Sequence, residues 1–430
     1  MKTKMILSFV LAVIFISCEM EEDDPKMSGT FTVTVENVLQ TKTFFLSGVF
    51  NTPVGASEPG GAGPGNSYEF SFQAGKGHKL SFSTMYVKSN DLFYAPDGEG
   101  IALYDGDDPV TGDITSHVFL WDAGTEVNEE PGKGSDQPLN QGSPNTGEEE
   151  NGKVWEISSV NDGYTYPSVM NTLKVTLSND GGTSFTLKIE NLSGSTTPIA
   201  PGVWVVHSES NPLFEAGMEE PGHGLEALAE DGDPTSLASW LEENSGFVSP
   251  LAPGVYAVHD PAAMPLFTNG SVDFGEGLEA LAEDGDPSSL NSSLDGKAMV
   301  ITKGVFNTPA SGSSPGPIFP GEKYEFTFEA KEGDKLSFAT MLVQTNDLFF
   351  APADDGINLW SGETAISGDI TGLIQLWDAG TEVNEYPGAG LHQPPRINGG
   401  ETENGVVEPV DDAFEYLPVN EIIKVSISHQ

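Results

Sequence analysis

The segments Ser89-Asn-Asp-Leu-Phe-Tyr-Ala-Pro96 and Leu120-Trp-Asp-Ala-Gly-Thr-Glu-Val-Asn128 both return 256 residues later, as Thr345-Asn-Asp-Leu-Phe-Phe-Ala-Pro352 and Leu376-Trp-Asp-Ala-Gly-Thr-Glu-Val-Asn384. A repeat of this length restricts the 430-residue chain to folds built from two related units. Each copy keeps the same acids: Asp91, Asp122 and Glu126 in the first, Asp347, Asp378 and Glu382 in the second. All of them fall at strand ends and in loops. Carboxylates retained there, while the residues around them change, point to a hard cation held on a rigid scaffold.

The formal net charge is −47, from 18 Lys and Arg against 65 Asp and Glu. Such a chain repels nucleic acid and anionic lipid, and it attracts divalent cations or basic partners. Gly and Pro number 50 and 30, which indicates a turn-rich fold, and 24 Phe are enough for a core.

Residues 1–18 carry two Lys, an apolar run and then Ser17-Cys18. The run is too short to span a bilayer and reads as a secretory signal. Its end, Phe15-Ile-Ser-Cys18, resembles a bacterial lipobox, which implies a lipid on Cys18 and a place in the cell envelope, at the outer membrane. Residues 19–28 read as an acidic tether, and the acids at 19–24 also resemble the surface-export signal of some Gram-negative lineages. With its single cysteine at the anchor, the chain has no intramolecular disulfide and no Cys-based zinc site.

The hydrophobic pattern predicts strands at Phe31–Val38, Thr41–Phe50, Tyr68–Phe72, Lys79–Val87, Ile114–Asp122, Val154–Ser158 and Leu173–Leu177. The turn at Gly75–Gly77 suggests a hairpin between the third and fourth. Short strands with almost no helical periodicity indicate an all-β, antiparallel sandwich. Phe185–Leu192 matches Phe31–Val38 at an offset of 154, which places a first unit at 29–180 and a second at 183–430. The extra chain in the second, 198–296, is itself a duplication: Ala200-Pro-Gly-Val-Trp-Val-Val-His207 returns as Ala252-Pro-Gly-Val-Tyr-Ala-Val-His259, and Gly224–Pro234 as Gly277–Pro287. Leu225, Leu228 and Ala229 sit at helical spacing, Gly232 suits a helix end, and Asp233 suits the cap of a following helix.

These motifs, in this order, resemble the spondin N-terminal domain of animal spondins and mindins and of bacterial secreted proteins. The resemblance implies a β-sandwich similar to C2 domains, with a bound calcium. It covers 183–430 as a domain with a doubled helical insert and 29–180 as one without it. The family's calcium ligands fall on Asp91, Asp122 and Glu126, and on Asp347, Asp378 and Glu382. The last residue of each trio departs from the family's Asp, and the family's cysteines are absent.

Other chemistry has weaker support. Asp105-Gly-Asp-Asp-Pro109 lacks the twelfth-position Glu of an EF-hand. No Ser nucleophile elbow or phosphate-binding Gly loop is present. His207 and His259 lie on apolar strands and read as core or edge histidines. The sequence is therefore expected to encode a lipid-anchored, calcium-binding adhesion or ligand-binding module and not an enzyme. Its partners would be the membrane, through the lipid, and an extracellular protein or glycan, with no nucleic acid. The alternatives are a structural spacer and a carbohydrate-handling surface lipoprotein that stacks sugars on Trp204, Tyr256 or Trp360.

Overall fold

The computed structural model describes residues 27–396 and 399–430. The signal segment, Cys18 and most of the acidic tether lie outside the described residues. Among the described residues, no helix is long and apolar enough to cross a membrane.

The principal elements of the first half are β1 (Ser28–Asn37), β2 (Leu46–Phe50), β3 (Ser67–Gln73), β4 (Lys79–Tyr86), β5 (Leu92–Ala95), β6 (Phe119–Asp122), β7 (Leu173–Gly181), β8 (Ser184–Asn191) and β9 (Ile199–His207), then the helices α1 (Leu225–Asp231) and α2 (Thr235–Asn244). The second half holds β10 (Leu251–His259), α3 (Leu278–Asp284), α4 (Ser288–Ser293), β11 (Val300–Phe306), β12 (Lys323–Lys331), β13 (Lys335–Leu342), β14 (Leu348–Pro352), β15 (Ile374–Asp378) and β16 (Ile423–His429). Strand dominates, and every strand pair is antiparallel, as the alternating pattern predicts.

Two pairs of sheets form. In one pair, β3-β8-β7 faces β6-β5-β4-β9-β2. Phe72, Val175 and Leu187 from the smaller sheet share a core with Leu80, Phe82 and Leu120 from the larger. In the other pair, β12-β1-β16 faces β11-β10-β13-β14-β15. Phe31, Val33 and Val425 share that core with Leu336, Phe338 and Leu376. The helices cover the outer face of each larger sheet. Leu225, Leu228 and Leu237 pack on Val203, Val205 and Phe93, and Leu278, Leu281 and Leu290 on Val255, Ala257 and Phe349. Covering on both faces explains why β13 is buried along its whole length, where a half-exposed strand would alternate.

The pairings correct three expectations. First, β3 and β4 do not form a hairpin. β3 pairs with β8, and β4 pairs with β9 and β5, so the turn at Gly75–Gly77 carries the chain from one sheet to the other. Second, the boundaries 29–180 and 183–430 do not follow the sheets. β1 lies between β12 and β16, in the sheets of the C-terminal half, while β8 and β9 join β3 and β4. Third, the insert 198–296 is not doubled within one unit. Each sheet pair takes one strand and two helices of it, so neither lacks a helical cover.

A repeat offset identifies which segments are alike, but strand partners are chosen by long-range packing. The result is nested: residues 44–244 form one continuous unit, inserted between β1 and β10 of the other. The two crossings lie side by side. The Thr43 and Phe44 amides both bond the Asn244 carbonyl at 3.0 Å, and the Gly246 amide bonds the Phe44 carbonyl at 3.0 Å. Asn37, at the end of β1, is fully buried and donates from Nδ2 to the Ser249 carbonyl at 2.9 Å.

The expected strand at Ile114–Asp122 is a 3-10 turn followed by β6, because Asp113 accepts the Thr115 amide and hydroxyl there. Gly232 ends α1 in the left-handed region at φ 68, and the Asp233 amide reaches back to the Ala227 carbonyl. Asp233 Oδ1 accepts the Thr235 amide at 3.0 Å, as expected of a capping acid. Trp204 stacks on Phe70, Tyr256 on Phe326, and Trp360 meets Phe31 edge-on. All three are packing residues, not free stacking platforms.

Candidate functional site

Asp91 follows a tight turn at the end of β4, fixed by Ser89, whose hydroxyl donates to the Tyr86 carbonyl at 2.6 Å and accepts the Leu92 amide at 3.1 Å. The turn places Asp91 at zero exposure, against the loop that leaves β6. Its Oδ2 accepts the Thr125 amide at 2.8 Å, the Thr125 hydroxyl at 3.2 Å and the Glu126 amide at 3.1 Å. Its Oδ1 is buried and has no partner among the described residues.

Asp122 ends β6. Its Oδ1 accepts the Gly124 amide at 2.8 Å and its Oδ2 the Asn128 side chain at 2.5 Å. Gly124 is required here: its φ is 69, and a Cβ would stand 2.5 Å from the Lys153 amide.

The second copy repeats this arrangement. Asp347 Oδ2 accepts the Thr381 amide at 2.8 Å and the Glu382 amide at 3.1 Å, and its Oδ1 is again buried and unpartnered. Asp378 bonds the Gly380 amide at 2.7 Å and Asn384 at 2.6 Å.

Burial, then the neighbouring Asp122, holds the Asp91 carboxyl well above the usual carboxylate range. Burial pushes Asp122 up to about 6. In the second copy, burial and the nearby Asp378 push Asp347 up to about 7, and burial raises Asp378. Each pair is thus two carboxylates that resist being charged together, a condition a bound cation relieves.

The third predicted acid does not join the pair. Glu126 gives its backbone amide to Asp91, but its carboxylate accepts the Gly147 amide at 2.7 Å. The charges that bear on it are Asp231 and Asp136, whereas Asp122 feels Glu150 and Asp162. Glu382 turns in the same way, towards the Gly400 amide. Among the described residues, no group of three or more His, Cys, Asp or Glu side chains is arranged to hold a metal ion.

The structure adds two acids that the sequence reading missed. Asp162 accepts the Tyr166 hydroxyl, and Asp412 accepts that of Tyr416 at 2.7 Å. Both tyrosines are raised by burial first and then by these acids, with the Asp91–Asp122 and Asp347–Asp378 pairs also contributing. An Asp four residues before a Tyr in both copies was the available signal. Its offset is 250 rather than 256, which hid it.

His207 and His259 are fully buried, one in each unit. Their Nε2 atoms each meet a serine hydroxyl, Ser81 and Ser337, at 2.9 Å.

No protein-family model matches the chain. No curated protein matches it either.

Proposed function

We propose that this chain is a calcium-binding, lipid-anchored protein of the cell envelope, built from two spondin-type β-sandwiches and acting as an adhesion or ligand-binding module. One observation carries the metal reading. The Oδ1 atoms of Asp91 and Asp347 are buried without a partner, each beside a second aspartate. A lone buried carboxylate oxygen is costly, and its recurrence in both copies argues for a common purpose. Calcium takes six to eight oxygens, from carboxylates, carbonyls and water. Asp91 with Asp122, and Asp347 with Asp378, would hold it. Bound there, it would supply positive charge to each acid pair and fix the loops that follow β6 and β15.

Calorimetric titration of the mature protein with calcium tests this reading. Two sites per chain are expected. Identical melting curves in EDTA and in excess calcium would overturn it. Labelled fatty acid on the wild type, lost in Cys18→Ala, tests the anchor.

A glycan ligand has one observation in its favour. Trp155 pairs with Asp122 across the sheet and is 47% exposed. It lines a cavity of about 610 Å³ that also holds Asp122, Glu150 and Lys153. A glycan array on the wild type and on Trp155→Ala distinguishes this ligand from a protein. Sugar binding that survives the substitution argues against this cavity.

A further inference from the structure

Glu230 on α1 is 3% exposed, and its Oε2 has no hydrogen-bond partner. The other buried positions of this helix are Leu225, Leu228 and Ala229, so a charged side chain among them calls for a reason. Glu230 lines a cavity of about 540 Å³ together with Glu220, Glu226 and Asp231. Among the described residues, no Lys or Arg lines it. One wall is aromatic: Trp240 lies flat on His223, with ring centroids 4.1 Å apart and planes 6° apart.

The other unit offers a built-in comparison. The cavity beside α3, about 670 Å³, carries Glu276, Glu279, Glu283 and Asp284 but no aromatic residue. There the chain supplies its own ammonium, because Lys297 Nζ bonds the Glu276 carboxylate. By the 53-residue offset of the duplication, the counterparts in the first unit are Asn244 for Lys297 and His223 for Glu276. The first unit therefore keeps the helix acids Glu226, Glu230 and Asp231, has His223 in place of Glu276 and Asn244 in place of Lys297, and gains an aromatic wall.

We propose that the cavity beside α1 binds an organic cation through a primary ammonium group, set against the Glu230 carboxylate with its alkyl chain along Trp240. An ammonium has three donors and needs one or two carboxylates, and it gains from an aromatic face. The same ammonium chemistry comes from two sources, a free polyamine or a lysine side chain of a partner.

The test is calorimetry on the full mature protein in saturating calcium, with spermidine and with Nα-acetyl-lysine methylamide as probes. One site per chain is expected, because the second cavity has no aromatic wall and its Glu276 is already bonded by Lys297. Glu230→Gln should weaken binding by about tenfold or more, the loss of one charge-assisted bond. Trp240→Ala and Glu226→Gln, the latter at the exposed rim, should weaken it by smaller factors. Unchanged melting curves for these variants would show that the fold is intact. Tighter binding of spermidine supports a free polyamine as the source, and tighter binding of the lysine amide supports a partner side chain. Failure of both amines to bind the wild type, or equal binding in Glu230→Gln, overturns the proposal.

Discussion

Gly48 lies directly beneath the indole of Trp204, so close that a Cβ built on it would meet the ring at 2.7 Å. The two residues are partners across β2 and β9. The other unit repeats the contact with a different ring: Gly304 sits under Tyr256, where a Cβ would meet the ring at 2.6 Å. A bare backbone here lets an aromatic side chain lie across its neighbour and reach Phe70 or Phe326.

Gly48→Ala and Gly304→Ala should each destabilise the protein by about 1–3 kcal/mol through overpacking. Trp204→Leu combined with Gly48→Ala should cost less than the sum of the two single changes, because the clash needs both side chains. Urea denaturation of the four proteins measures the coupling, and strict additivity would contradict the contact.

The calcium reading predicts separable effects. Asp378→Asn should lower the stoichiometry from two to one, since it removes charge from the second pair alone. Asp233→Asn should leave it at two, because that carboxylate caps α2 and Asn caps nearly as well. Calcium at a hundredfold excess over its dissociation constant should stabilise each occupied unit by about 2.7 kcal/mol. Calorimetry and thermal melts read both quantities.

Without calcium, stability should depend on pH in two opposed ways. Asp347 and Asp122 have raised values, about 7 and about 6, so the fold keeps protons that the unfolded chain has released. Their contribution is present below the ordinary carboxylate value and is lost as pH rises through 6 to 7. His207 and His78 are lowered to about 4 and about 3, chiefly by burial. The unfolded chain then binds more protons, so their contribution is lost as pH falls below the ordinary histidine value. Melting temperatures in EDTA should fall between pH 6 and 8, and Asp347→Asn should flatten that fall. Calcium should flatten it in the wild type.

The nested topology makes a prediction that the repeat boundaries do not. Residues 44–244 should fold alone, whereas 29–180 should not, for want of β8 and β9. Residues 249–430 should be unstable without β1, whose Phe31, Val33 and Val35 are fully buried. Each of those side chains contributes roughly 2 kcal/mol by burial. A peptide of residues 28–37 added in trans should restore the folded signal by circular dichroism, and a fragment 249–430 that folds equally well alone would contradict the pairing.

Much of this was legible in the sequence. The alternating strands, the Gly232–Asp233 helix junction and the position of the aspartate pairs follow from local pattern, because each depends on neighbouring residues. What was hidden depends on distant chain. Nothing in Phe31–Val38 tells which of two similar sheets it enters, and Glu126 reads as a ligand until the Gly147 amide claims its carboxylate. Nothing in the sequence sets Glu230 apart from the other acids of α1. Its burial comes from the packing of α1 on β4 and β5, which the helix's own pattern does not encode.

β1 is both the entry to the molecule and the strand from which the inserted unit hangs. A pull applied at Ser28 and resisted by a ligand held on residues 44–244 runs straight along β1. That strand is already extended and has almost no length left to give. A pull between Ser28 and the C-terminus is a different matter. Thr30 and Gln430 exchange backbone hydrogen bonds at the same sheet end, so that force would peel β1 from β16 one pair at a time.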